Sequence, residues 1–243
     1  MSLPDAERMR RALAATWPAA EEVAMGPFML RRSAGGGQRV TAARALPGAE
    51  GLAAALPRAV AQMQAWGQRP VFQILPDTPG LDALLEGGGW AVGDPTIVHA
   101  APLSAFGGIA TPPLSTFAHW PPLAIQEEIW GLGGIGRDRL AVMARVAGPH
   151  VSLLARDGDR PAGTAFVAMD GPVAMIHAME ISPALRRRGN AARLLARAAA
   201  WAAGRGGEVL ALAVTEANAG ARALYAGLGM RPVLRYHYRV PAP

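Results

Sequence analysis

Ile181-Ser182-Pro183-Ala184-Leu185-Arg186-Arg187-Arg188-Gly189-Asn190-Ala191-Ala192 is the stretch from which the rest of the chain can be read. The apolar segment Val173–Ile181 reads as a strand that runs into it. Pro183 ends that strand. Gly189 lets the backbone approach a ligand closely. An Ala-rich segment, residues 190–203, reads as a helix starting directly afterwards, so its first N–H groups point back at the loop. Such a helix start attracts phosphate through those N–H groups and its partial positive charge. Ala191 and Ala192 keep the first turn narrow, and three arginines add charge-assisted contacts. The residues by themselves describe a pyrophosphate site at a strand–loop–helix junction.

Many nucleotide folds share such a junction, and the spacing separates them. A phosphate loop of the G-x-x-x-x-G-K-[ST] type needs a lysine, and the chain has none. A dinucleotide fingerprint needs G-x-G-x-x-G, and Gly189 stands alone. Arg186-x-x-Gly189-x-Ala191 instead resembles the Q/R-x-x-G-x-G/A signature of the GNAT superfamily of N-acetyltransferases. The context agrees. Ala178-Met179-Glu180-Ile181 is similar to that family's fourth strand, and Leu212–Asn218 to its fifth strand and the asparagine opening the next helix. Asn218 to Met230 resembles N-x-x-A-x-x-L-Y-x-x-x-G-F, with Met230 in place of the aromatic and Arg222 where a small or apolar residue is common. The resemblance covers roughly residues 113–243. It implies an α/β fold with an α+β mixed sheet, the GNAT-like acyl-CoA N-acyltransferase fold.

The resemblance also implies roles. The family binds acetyl-CoA as acetyl donor and passes the acetyl group to an amine. The backbone of Met179, Glu180 and Ile181 is expected to bond the pantetheine arm and the thioester oxygen. The loop and helix start, Arg186, Arg187, Arg188, Gly189, Asn190, Ala191 and Ala192, are expected on the pyrophosphate, Arg186 with the weakest case. Asn218 and Tyr225 complete the cofactor side. Tyr225 is the candidate general acid for the leaving thiolate. The family's fifth-strand Glu is missing, since Ala213 stands there. Two candidate bases remain on the preceding strand, His177 and Glu180. His177 corresponds to a histidine used by arylalkylamine-type members, and its ordinary pKa suits proton removal near neutrality. Strand alternation puts the two on opposite faces unless the strand bulges. Each also has a plainer reading, His177 as a packed histidine and Glu180 as half of an ion pair.

The first half is read from pattern alone. Helices are expected at residues 5–15, 52–66 and 81–86, and strands at Phe28–Arg31, Val40–Ala43, Val71–Leu75 and Ile97–Ala100. Residues 101–122 are rich in Pro and Ser/Thr and read as a linker, with Leu114–Trp120 as the first strand of the second half. A cut near residue 110 gives domains 1–110 and 111–243. Ala83 to Trp90 faintly echoes Ala223 to Met230. This suggests two tandem GNAT-like halves, the first a degenerate copy with no R-x-x-G-x-A loop and with Leu85 where Tyr225 would be.

Composition narrows the classes. Cysteine is absent, which rules out disulfides, thiolate metal sites and a cysteine nucleophile. The five histidines show no metal-ligand spacing, so no metal is expected. No apolar run is long enough to span a bilayer, and Met1 to Arg11 lacks the apolar segment of a signal peptide, so no membrane partner is expected and the cytoplasm is the expected location. The basic side of the net charge of +6 comes entirely from arginine and is scattered, so nucleic acid is not an expected partner. The expected partners are acetyl-CoA and an amine acceptor, either a small molecule or a protein amine. A homodimer is left open.

Overall fold

The computed structural model describes residues 3–242. In chain order the elements are α1 (Ala6–Thr16), β1 (Glu21–Met25), β2 (Phe28–Arg32), α2 (Gln38–Thr41), β3 (Arg44–Ala45), α3 (Leu52–Ala65), β4 (Phe72–Ile74), α4 (Pro79–Gly87) and β5 (Ala91–Pro102). Next come β6 (Thr116–His119), α5 (Ala124–Leu132), α6 (Arg137–Ala144), β7 (His150–Asp157), β8 (Arg160–Asp170), β9 (Val173–Ile181), α7 (Asn190–Ala203), β10 (Val209–Thr215), α8 (Ala219–Gly227) and β11 (Arg231–Val240). They form two compact units. The larger takes the chain up to Trp17, Val98–Val214 and Asn218–Leu234. The smaller takes Pro18–Ile97, Thr215–Ala217 and the chain from Arg235. The division therefore interleaves along the chain, where the sequence pattern suggests one cut near residue 110.

In the larger unit the strands lie in the order β5-β10-β9-β8-β7-β6. β6 to β9 pair antiparallel in sequence order. β10 pairs parallel with β9, and α7 makes the crossover that a parallel pair requires. Leu194, Leu195, Ala198 and Ala202 of α7 share a core with Leu153, Val167, Ile176 and Leu212. Ile176 thus faces α7, while its neighbour His177 faces the helices on the other side. There α1 and α5 pack on β8 and β9. Asp5 caps α1 by accepting from Arg8 N at 2.8 Å, and Arg8 is ion-paired with Asp170 at 2.5 Å.

In the smaller unit β1, β2 and β3 form an antiparallel sheet, and β4 pairs antiparallel with β11. Phe28, Leu30, Met63, Phe72, Leu81 and Leu85 fill its core. The strand expected at Val40–Ala43 is instead the short helix α2. Gly35, Gly36 and Gly37 all have positive φ and turn the chain into it. Arg31 holds it there, donating to the carbonyls of Arg39 (2.8 Å) and Ala42 (2.6 Å). The strand β1 leaves no apolar signal in the sequence, because its residues are mostly polar or exposed. Part of the expected linker is ordered structure. A turn at Leu103–Phe106 buries Phe106, and β6 pairs with β7.

The echo between Ala83 and Ala223 extends to whole elements. The orders α3-β4-α4-β5 and α7-β10-α8-β11 match. The helices α3 and α7 are each 14 residues long and each follows a left-handed glycine, Gly51 and Gly189. The helices α4 and α8 have nine residues each. Among the described residues no helix is long and apolar enough to cross a membrane.

Candidate active site

The site begins where two parallel strands part. Pairing between β9 and β10 runs from Val173↔Val209 to Ile176↔Leu212 and stops, although β9 continues to Ile181 and β10 to Thr215. The cause is a bulge in β9. Phe166 pairs with His177 and Thr164 with Glu180, so one residue of β8, Ala165, faces two of β9, Ala178 and Met179. Ala178 has φ +48°, a left-handed conformation that a residue with a Cβ rarely adopts. A bulge of this kind bends the strand and interrupts its ladder.

A cleft of about 850 Å³ opens at this point. Met179, Glu180 and Ile181 of β9 form one wall, and Ala221, Leu224 and Tyr225 of α8 another. Arg186, Arg187, Gly189, Asn190, Ala191 and Ala192 close the far end, together with Asn218. All belong to the larger unit.

The far end is built to take an anion. α7 starts at Gly189, in the left-handed conformation, with no side-chain cap. Its first N–H groups have no intrahelical acceptor and face the cleft. By contrast α8 is capped, with Asn218 Oδ1 accepting from Ala221 N at 3.1 Å. Asn190 is 1% exposed and acts on the loop itself. Its Nδ2 donates to Leu185 O at 3.0 Å, and its Oδ1 accepts from Arg193 at 3.1 Å. The side chain thus shapes the loop, while the backbone N–H remains for a ligand.

The three arginines diverge. Arg187, with φ +62°, lines the cleft. Arg186 also lines it, but its guanidinium donates to Glu180 Oε1 at 3.0 Å and to Ile181 O at 3.1 Å. Arg188 is outside the lining and is paired with Asp157 at 3.3 Å. The left-handed residue in the middle of the run turns its neighbours apart.

Tyr225 lines the cleft and is only 6% exposed. Burial pushes its pKa up to about 12. The phenol therefore keeps its proton across ordinary pH and is a donor, not a base. The ring of His99 packs 6.1 Å from it, centroid to centroid.

The two candidate bases occupy different settings. Thr164 and Phe166 are two apart on β8 and so share a face, which puts their partners Glu180 and His177 on one face as well. The bulge removes the opposition that regular alternation would impose. Glu180 lines the cleft and His177 does not. His177 is 3% exposed, with the rings of Trp17 and Phe166 at 5.0 and 6.4 Å. Its Nε2 lies 2.9 Å from Thr16 Oγ1. That hydroxyl donates its only proton to Ala12 O at 2.6 Å, so it must accept from His177 Nε2–H. Trp130 and Gly133 also touch β9, and no local motif marks either of them in the sequence. Trp130 Nε1 donates to Ala178 O at 2.7 Å, and Gly133 lies against Glu180. Among the described residues no cluster of three His, Asp or Glu is placed to hold a metal ion.

A mixed sheet whose parallel pair parts over an uncapped helix start has the architecture of the GNAT-like acyltransferase class. Residues 115–230 match the model of the Acetyltransferase (GNAT) family, and this part of the chain is a GNAT domain. The family's members transfer acyl groups from acyl-CoA. The whole chain is similar in fold to a GCN5-related N-acetyltransferase from Kribbella flavida, with 20% identity, 100% of this chain and 98% of that one covered, and a TM-score of 0.73. It is also similar to a GCN5-related N-acetyltransferase from Sphaerobacter thermophilus (16% identity, 82% and 71% covered, TM-score 0.60). A tandem GNAT protein from the clavulanic acid biosynthesis pathway gives 15% identity, 83% and 76% coverage and a TM-score of 0.60. No curated protein matches the chain.

Proposed function

We propose that the protein is an N-acetyltransferase that moves acetyl from acetyl-CoA to a primary amine by direct attack in a ternary complex. The observation that carries this reading is the parting of β9 and β10 beside the uncapped start of α7. The free strand edge suits the amide-bearing pantetheine arm, and the helix start with Arg187 suits the pyrophosphate. The amine nitrogen bonds to the thioester carbon and the carbon–sulfur bond breaks. Backbone N–H at the bulge stabilises the oxyanion, a donor of this kind contributing about 3 kcal/mol. Tyr225 gives its proton to the departing thiolate. Glu180 takes the proton from the amine, directly or through a water. Its pair with Arg186 is open to solvent and contributes at most about 1 kcal/mol, so an arriving ammonium group competes for the carboxylate. His177 supports the wall from behind. The first half is read as a degenerate copy, because its loop before α3, Leu46-Pro47-Gly48-Ala49-Glu50-Gly51, carries an acid and no arginine.

The test is an acetyl-CoA titration by calorimetry, followed by thiol release against a panel of amines with acetyl-, propionyl- and succinyl-CoA. Micromolar binding with turnover on an amine is expected. A second reading, an acyl-CoA-binding protein without turnover, draws on Ala213 at the position of the family's fifth-strand Glu. It predicts the same binding and no thiol release with any amine.

A further inference from the structure

Ala178 holds a left-handed φ of +48°, a conformation strained for a residue with a Cβ. The neighbouring strand offers one residue, Ala165, to the two of the bulge. A side chain also holds it. Trp130, in the last turn of α5 and fully buried, donates its indole Nε1–H to the Ala178 carbonyl at 2.7 Å. In a trans peptide the C=O and the following N–H point in opposite directions. With the Ala178 carbonyl drawn toward α5, the N–H of Met179 is turned away from α5. Met179 itself lines the cleft.

We infer that Trp130 is a positioning residue for acyl transfer. Its hydrogen bond fixes the Ala178–Met179 peptide plane so that the Met179 N–H meets the thioester oxygen. Without the bond the peptide is free to relax toward an ordinary strand geometry, which swings that N–H out of line. The substrate is still bound, because the pyrophosphate end and α8 are untouched. The inference rests on the acyltransferase reading above.

The experiment compares the full chain with Trp130→Phe, which keeps an aromatic ring, removes the donor and loses part of the indole volume. Binding of [1-¹³C]acetyl-CoA is followed by infrared spectroscopy, and turnover by thiol release. In the wild type the bound carbonyl stretch should move to lower frequency than in water. In W130F it should return toward the free value, with kcat lower by roughly ten- to a hundredfold and the Kd of CoA within about threefold. An unchanged carbonyl frequency in folded W130F overturns the role of Trp130 and leaves the enzyme reading intact. Absence of acetyl-CoA binding by the wild type overturns both. A second measurement needs no variant. In ¹⁵N-labelled wild type the Met179 amide should shift with acetyl-CoA and not with CoA, and equal shifts with the two overturn the proposal.

Discussion

A methyl group placed on Gly133 would meet the Glu180 side chain at 2.8 Å. The atoms it meets are the Cγ, Cδ and Oε2 of a flexible side chain, so Glu180 can give way by moving. Gly133 has φ −85°, which alanine adopts without strain. Gly133→Ala should therefore cost little stability and still displace the carboxylate from the cleft. The expected result is a five- to twentyfold fall in kcat/KM for the amine, on the order of 1–2 kcal/mol, with a melting temperature within a few degrees of the wild type. An unchanged rate constant, with Glu180→Gln also unchanged, would remove Glu180 from the reaction.

Replacing Tyr225 with Phe separates the acid from the binding site. The ring packing is kept and the donor is lost. Turnover should fall by about a hundredfold or more while CoA affinity holds. The raised pKa adds a pH signature. The folded protein keeps the phenol proton up to about 12, whereas the unfolded chain loses it near 10. Between these values the folded state binds more protons, so stability falls as pH rises through that window. The gap between wild type and Y225F melts should stay constant below about pH 9 and change between about 10 and 12. A tyrosine-dependent alkaline loss of activity near pH 8 would contradict the buried setting.

The junction from Ile181 to Ala192 was legible because its signals are local. A strand-ending proline, a left-handed glycine and an alanine-rich helix sit within a dozen residues. The bulge was not, because no glycine marks it. Ala178 is held left-handed by Trp130, 48 residues away in the chain. The setting of His177 depends on Thr16, 161 residues away, on a helix that pattern alone places in the other half. Arg187 and Arg188 are given the same expectation by the sequence, and the left-handed backbone at Arg187 separates their directions.

That separation is testable. Arg187 lines the cleft, whereas Arg188 is paired with Asp157 outside the lining. Arg187→Asn keeps a residue type that tolerates a left-handed φ, so it removes the charge without adding strain. It should weaken CoA binding about tenfold, roughly the loss of one charge-assisted contact. Arg188→Ala should change the Kd by less than about twofold, as expected for an exposed pair. Calorimetry at low salt measures both, and equal losses would place both guanidinium groups on the phosphates.

In the smaller unit a different arginine is held by a carboxylate. Asp82 Oδ1 accepts from Arg239 Nε at 2.6 Å and from His237 Nε2 at 3.0 Å, and Arg239 also donates to Trp90 O at 3.0 Å. The Arg239 side chain is 6% exposed and that of Asp82 is 31% exposed. Burial by itself would raise the Asp82 pKa, but the hydrogen bonds and charge of Arg239 and His237 outweigh it and lower the value. The folded carboxylate thus releases its proton at a lower pH than the unfolded one. Its contribution is full above the ordinary Asp range near 4 and is lost as pH falls through the lowered value. Asp82→Asn should cost about 1–2 kcal/mol at pH 7, discounted because the carboxylate is partly open to water. In urea unfolding the gap between wild type and D82N should narrow at about pH 3 and below. A gap of the same size at pH 7 and about pH 2.5 would mean that packing, and not the charge on Asp82, holds Arg239 in place.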